Sequence, residues 1–401
     1  MKTAFIFPAL VAMTCLCGAQ ENRTQFLPGQ PWPDDHGIHI NAHGGGVLYN
    51  EGTYYWFGEH KIAGKAGNEA HVGVHCYSST NLYNWKDEGV ALAVSQDPAS
   101  DIASGCLLER PKVIHNARTG KYVMWFHLEL KGKGYDAARS GVAVAEVITG
   151  PYTYLRSFRP NAGSWPAGQT QPRSGAANAT NYLARDFAGG QMARDMTLFV
   201  DDDAKAYQIY SSEENETLQI SQLSDDYLSP VGKYVRVFEK QFNEAPAICK
   251  YLGHYWMLTS GCSGWDPNTA RASMADSIWG PWKQLGNPCV GTNSQNQLSA
   301  GLTFGGQSTC IFPVAGKPGA FIAMFDVWEP DDAIRGGYVW LPMVFEKGHF
   351  IIAWRDAWDL SVFEDVKPAS NQSTRPAGNA QTDSKKSSNL LSNTQAAATP
   401  F

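Results

Sequence analysis

The sequence predicts an all-β fold, a five-bladed β-propeller around a central channel, and three observations lead there. Glycine is abundant, 39 of 401 residues, aromatics make up 12%, and long stretches of helical periodicity are scarce. That mixture favours short strands joined by tight turns. One short pattern, a turn residue followed by alternating aromatic and aliphatic residues, recurs five times. Each copy is preceded by a shorter apolar strand and a turn. Irregularly spaced units of about four strands each fit a propeller, whose radial repetition protects its sheet edges.

The units follow in order. "HGGGVLYNEG" leads into "GTYYWFGE" from residue 52, and "RPKVIHNARTG" into "GKYVMWFH" from 120. "DMTLFVDDDAK" leads into "AKAYQIYSS" from 204, "APAICKYLG" into "GHYWMLTS" from 253, and "STCIFPVAGKPG" into "PGAFIAMFD" from 318. Segments such as "SSTNLYNWKDEG", "EVITGPYTY", "SQLSDDYLSP" and "MADSIWGPWKQ" supply a third strand, a turn and the start of a fourth. The "DDDAK" run resembles a calcium loop only superficially and reads as the hairpin turn of the third unit. No cofactor is expected, a structural calcium in the channel being the one alternative.

The propeller is assigned to residues 20–366. Residues 1–19, "MKTAFIFPALVAMTCLCGA", have a Lys, an apolar stretch too short to span a membrane, and small residues before Gln20. That is a leader pattern, so the chain is expected to be secreted or periplasmic. Lipid attachment at Cys15 or Cys17 is the disfavoured alternative, as neither sits in a good lipobox. Residues 367–401, rich in Ser, Asn, Ala, Thr and Pro, lack the apolar content to bury a core and are expected to be disordered. The six remaining cysteines show no CxxC spacing, which argues against zinc and selects no disulfide pair. A net charge of −6 offers no basic footprint for nucleic acid, and no segment is long and apolar enough for an integral membrane span. A monomer is expected.

In a propeller the residue at the start of each innermost strand faces the mouth of the channel. Those positions hold Asn41 and His43, Glu109, Asp195, Glu244 and Gln307. Carboxylates around an aromatic-lined pocket suit glycoside hydrolysis, in which one carboxyl group protonates the departing sugar oxygen and a second group handles water or attacks. Glu244 precedes the apolar run "APAIC", which disfavours its charged form as a general acid requires. Arg194 beside Asp195 and Arg110 beside Glu109 are expected to hold the charge on those carboxylates. Trp265 offers a platform for a pyranose face, and His43 a contact to sugar or water.

The phrases "NAHGGGVLYNEGTYYWFGEHK", "ERPKVIHN", "ARDMTLFVDDDAKAYQIYSSEEN", "NEAPAICK", "TSGCSGWDPN" and "GGQSTCIFPV" resemble glycoside hydrolase family 43, and within it the exo-β-1,3-galactanase branch. The likeness runs from about Trp32 to about Phe363. It implies a five-bladed propeller that cleaves galactan or an arabinogalactan-type polysaccharide with inversion. By position, Glu244 matches the general acid, and Asp195 the carboxylate that tunes the acid and holds the sugar. The first unit lacks the family's usual Asp base, and Gln307 matches the branch's substitute, with Glu109 the other candidate to orient water. Glu59 and Tyr135 match sugar contacts more loosely. An inverting site needs roughly 6.5–9.5 Å between acid and base groups, so Gln307 is expected across the cavity from Glu244, with Glu109 to one side. The other readings are an arabinofuranosidase, galactofuranosidase or xylosidase of the same family, and a propeller that binds glycan without cleaving it.

Overall fold

The computed structural model describes residues 22–169, 181–346 and 348–364. The expected leader and tail lie outside the described residues. Five small sheets form the blades of a five-bladed β-propeller. The first holds β1 (His43–Asn50), β2 (Thr53–His60), β3 (Gly73–Ser79) and β4 (Lys86–Ala93). The second holds β5 (Leu107–Asn116), β6 (Lys121–Glu129), β7 (Arg139–Ala145) and β8 (Thr153–Phe158), and the third β9 (Met196–Val200), β10 (Ala206–Ser212), β11 (Thr217–Leu223) and β12 (Pro230–Val237). The fourth comprises β13 (Asn243–Tyr251), β14 (His254–Gly261), β15 (Arg271–Ala275) and β16 (Lys283–Gly286). The fifth comprises β17 (Cys289–Val290), β18 (Gln307–Pro313), β19 (Phe321–Val327), β20 (Gly337–Glu346) and β21 (His349–Ala353).

Four blades run antiparallel in chain order from the innermost strand outward. In the fifth the short β17 pairs parallel with β21 at the outer edge. Two-residue turns at Glu51–Gly52 and Leu252–Gly253, with both residues at positive φ, close the β1–β2 and β13–β14 hairpins. Positive φ at both positions matches the twist of the flanking strands. The "DDDAK" run is a hairpin turn, Asp201 N donating to the Lys205 carbonyl at 2.9 Å, and Lys250 pairs with Asp201 and Asp202.

The ring is closed where its two ends meet. Phe26 N donates to the Trp358 carbonyl at 2.7 Å, and Gly29 N to that of Tyr338 at 2.8 Å. Phe26, Trp32, Trp56, Trp85, Trp340 and Trp358 are buried together there, Trp56 and Trp340 with ring centroids 4.7 Å apart. Fully burying rings of this size contributes a few kcal/mol each, roughly 25 cal/mol per Å² removed from water. Most of the aromatic content is therefore core. Of the 13 Trp, all among the described residues, Trp265 and Trp328 line the channel mouth. The six described cysteines are free thiols.

Candidate active site

A cavity of about 450 Å³ opens at the end of the channel where the inner strands begin, within the roughly 300–1,000 Å³ usual for small-molecule sites. Glu109, Asp195, Glu244 and Gln307 all line it, as do Glu59, Tyr135, Arg194 and Trp265.

A repeated backbone device aims these side chains. β1, β5, β13 and β18 each shift register just past the residue concerned, after His43, Glu109, Glu244 and Ser308. In three of them the next residue has positive φ: Gly44 at 60°, Arg110 at 56° and Ala245 at 52°. Arg110 and Ala245 lack glycine's freedom, so the conformation is strained there and must be held by its surroundings. A carboxylate captures the amide at each. Gly44 N donates to Asp326 Oδ2 at 2.6 Å, Arg110 N to Glu59 Oε1 at 2.9 Å and Ala245 N to Asp195 Oδ2 at 3.1 Å. At Gly44 a Cβ would stand 2.2 Å from Glu59 Oε1, which leaves no room for a side chain at this point of the first blade.

The acid end of the site is a chain of hydrogen bonds. Gln307 Nε2 donates to Glu244 Oε1 at 2.9 Å and to Ser260 Oγ at 3.0 Å. Gln307 Oε1 accepts from Arg110 Nη2 at 2.5 Å and from Trp328 Nε1 at 2.9 Å. Arg110 also grips Asp195, Nε to Oδ1 at 3.1 Å and Nη2 to Oδ2 at 2.9 Å, the bidentate geometry that makes such pairs strong. Burial, and then the charge of Asp195, raise Glu244 to about 7, against the opposing pull of Arg110 and the Gln307 amide.

Glu109 sits in a different setting. Tyr135 OH donates to its Oε1 at 2.8 Å, and its Oε2 lies 3.0 Å from His127 Nδ1. Burial pushes this carboxyl up, but His127, Lys61 and the Tyr135 hydroxyl outweigh it and bring Glu109 down to about 2. The site thus holds one carboxyl poised to keep a proton near neutrality and another that is ionised, the kind of split that suits an acid and a base.

Four expectations need correction. Gln307 is in direct contact with Glu244, so the expected gap between them is absent. Its amide is also saturated, with two donors on the oxygen and an acceptor for each N–H. Both arginines take other partners: Arg110 pairs with Asp195, while Arg194 Nη2 donates to Glu214 Oε2 at 3.0 Å and to the Tyr135 carbonyl at 2.9 Å. The bulge after Glu109 turns Arg110 away from its neighbour, and Arg194, which precedes β9, reaches Glu214 instead of Asp195. His43 is fully buried, stacked on Tyr338 at 5.2 Å with Nδ1 3.6 Å from Asp326 Oδ2, and belongs to the packing rather than the cavity wall. Asn41 is likewise buried, its side chain exchanging two 2.8 Å hydrogen bonds with the backbone of Lys61.

Glu59 is almost fully buried, bridging Arg110 N and Lys61 Nζ, the latter at 2.5 Å. Trp265, 41% exposed, meets Trp328 edge to face at 5.7 Å, and the Arg110 guanidinium lies 5.2 Å from the Trp328 ring. Sequence reasoning missed Trp328, Asn68 and His127. Trp328 lies just past β19, as Lys61 does past β2, and that equivalence was the available signal.

Propeller, cavity and paired carboxyl groups define a glycosidase site. The chain belongs to the glycosyl hydrolases family 43, whose family model matches residues 44–311, and it is a glycoside hydrolase. A family 43 β-1,3-galactosidase solved with galactodeoxynojirimycin is 53% identical, over 83% of this chain and 100% of that one, with a TM-score of 0.78. An exo-β-1,3-galactanase from Phanerochaete chrysosporium, solved with β-1,3-galactotriose, is 32% identical over 84% of this chain and 68% of that one, with a TM-score of 0.69. One from Clostridium thermocellum is 33% identical over 83% and 66%, with a TM-score of 0.69. No curated protein matches the chain.

Asp195→Asn is expected to move the basic limb of the pH–rate profile down. A general acid at Glu244 acts in its protonated form, and losing the negative neighbour, while leaving Arg110 uncompensated, lowers the pKa of that carboxyl. A raised KM with an unmoved limb would leave Asp195 a binding residue only.

Proposed function

We propose that this enzyme releases galactose from the end of β-1,3-linked galactan with inversion, after export directed by its leader. The observation that carries the reading is Glu244, a carboxyl group raised to about 7 inside a cavity beside the Asp195–Arg110 pair. Glu244 protonates the departing sugar oxygen, and Asp195 tunes it and holds the sugar. Gln307 organises the acid through its contacts to Glu244, Arg110 and Trp328. Glu109 orients the attacking water and accepts its proton. A carboxylate held at about 2 is a weak base, but the transition state is oxocarbenium-like and asks for little proton transfer from water.

Attack at a chain end is supported by the two exo-β-1,3-galactanases that the chain resembles. The galactan assignment is supported by the β-1,3-galactosidase and galactanase neighbours. Incubation with a panel of galactans, arabinans and xylans tests it. Galactose from β-1,3-galactan alone is expected; pentose from arabinan or xylan overturns the substrate, and no product from any glycan overturns the enzyme reading.

A further inference from the structure

Beside Glu109, in the wall of the same cavity, lies a buried charged group that no step above uses. His127 stands opposite Glu109 in the β5–β6 ladder, and Glu129 follows two residues later on the same face of β6. The imidazole lies between two carboxylates, Nε2 hydrogen-bonded to Glu129 Oε1 at 2.8 Å and Nδ1 3.0 Å from Glu109 Oε2, an ion-pair contact without hydrogen-bond alignment. The other Glu129 oxygen accepts the Ala138 amide at 2.8 Å. The His127 and Glu129 side chains are 1% and 0% exposed.

Such burial is costly. Removing a carboxylate from water costs several kcal/mol unless it is paired and fully bonded, and an apolar residue on β6 would fill the same space. The pairing is also one-directional. Glu129 grips the ring, the ring abuts Glu109, and only Glu109 continues into the cavity's polar network through Tyr135 and Asn68. A carboxylate that fixes an imidazole so that the imidazole can act on a third group is the general logic of catalytic triads.

We propose that His127, locked by Glu129, is a positioning residue that holds Glu109 in its charged form and fixes which carboxylate oxygen faces the water. The proposal rests on the reading of Glu109 as the base. Burial lowers His127, but the two carboxylates outweigh it and carry the ring to about 9, so the imidazolium persists across the working range. Other groups also face Glu109. Lys61, the Tyr135 hydroxyl and the Asn68 amide favour its charge, and Arg110 follows it in the chain. Asp195, with a polar atom within 4.8 Å of Glu109 and His127, opposes it.

The test is the acidic limb of kcat/KM against pH for His127→Gln and Glu129→Gln. Glu109 acts deprotonated, so losing a positive neighbour raises its pKa and moves the limb to higher pH. A rise of about one pH unit or more is expected for His127→Gln, the size of one close opposite charge; Glu129→Gln removes a negative charge while the imidazole stays protonated at these acidic pH values, so a smaller shift to lower pH is expected. Folded variants whose limb stays in place overturn the proposal, because a merely structural pair would lower Tm without moving it. Should His127→Gln fail to fold, Glu129→Gln is read on its own. The imidazole ¹⁵N shifts of the wild-type protein supply a second reading: a doubly protonated ring at pH 7.5 is expected, and a neutral ring overturns the proposal. Glu109→Gln separates the two layers. If that variant keeps its activity, the base reading fails. If it is inactive while the His127→Gln limb is unmoved, only the positioning role fails.

Discussion

Replacing Glu244 by Gln is expected to lower kcat/KM on β-1,3-galactan by about a hundred- to ten-thousand-fold, the span that general acids supply. The substitution keeps the size of the side chain and its place beside Gln307 but removes the transferable proton. A galactosyl alkoxide is a poor leaving group and needs that proton. Galactosyl fluoride or a dinitrophenyl galactoside does not, so hydrolysis of those substrates should largely survive. Equal losses on both substrate types would mean that Glu244 binds or orients the sugar rather than protonating the leaving oxygen. The basic limb of the wild-type profile should lie near the value of about 7 given to Glu244 by burial and by Asp195.

The second large effect separates Glu109 from Gln307. Glu109→Ala should also lose most of the activity, because it removes the group that orients the attacking water and accepts its proton. Added azide should restore part of it by entering the vacated space, giving a galactosyl azide of inverted configuration. Gln307→Ala should act through the acid instead. Its N–H donates to Glu244 at 2.9 Å and favours the charged form, so removing it raises the acid's pKa. The basic limb should then move up, opposite in sign to Asp195→Asn, without azide rescue. If Gln307→Ala is the variant that azide rescues while Glu109→Ala stays active, the amide is the group that handles water.

Much of this was legible in the sequence. The alternating strands, the turn at "YLG" and the five equivalent strand starts placed Glu109, Asp195, Glu244 and Gln307 at one cavity, because chain order alone fixes which residues begin the inner strands. Contacts among them were not legible. Whether Arg110 reaches Asp195 or Glu109 depends on a positive-φ bulge that turns its side chain, and nothing in "ERP" announces a φ of 56°. The Glu129–His127 pair was hidden for a related reason. It sits at the end of a second strand in "WFHLE", where alternation marks inward-facing positions but not a charged partner in the neighbouring strand. Burial of His43 escaped notice because its cover, Tyr338, is almost three hundred residues away.

Inverting removal of single galactose units, with Glu244 as the acid and a water held by Glu109, can be checked by following β-1,3-galactotriose with the wild-type enzyme by ¹H NMR from the first seconds. α-Galactose is expected as the first product from the chain end, with β-galactose growing in only at the rate of mutarotation. Initial release of β-galactose would contradict inversion, since retention runs through a covalent galactosyl-enzyme formed by a carboxylate nucleophile and then hydrolysed.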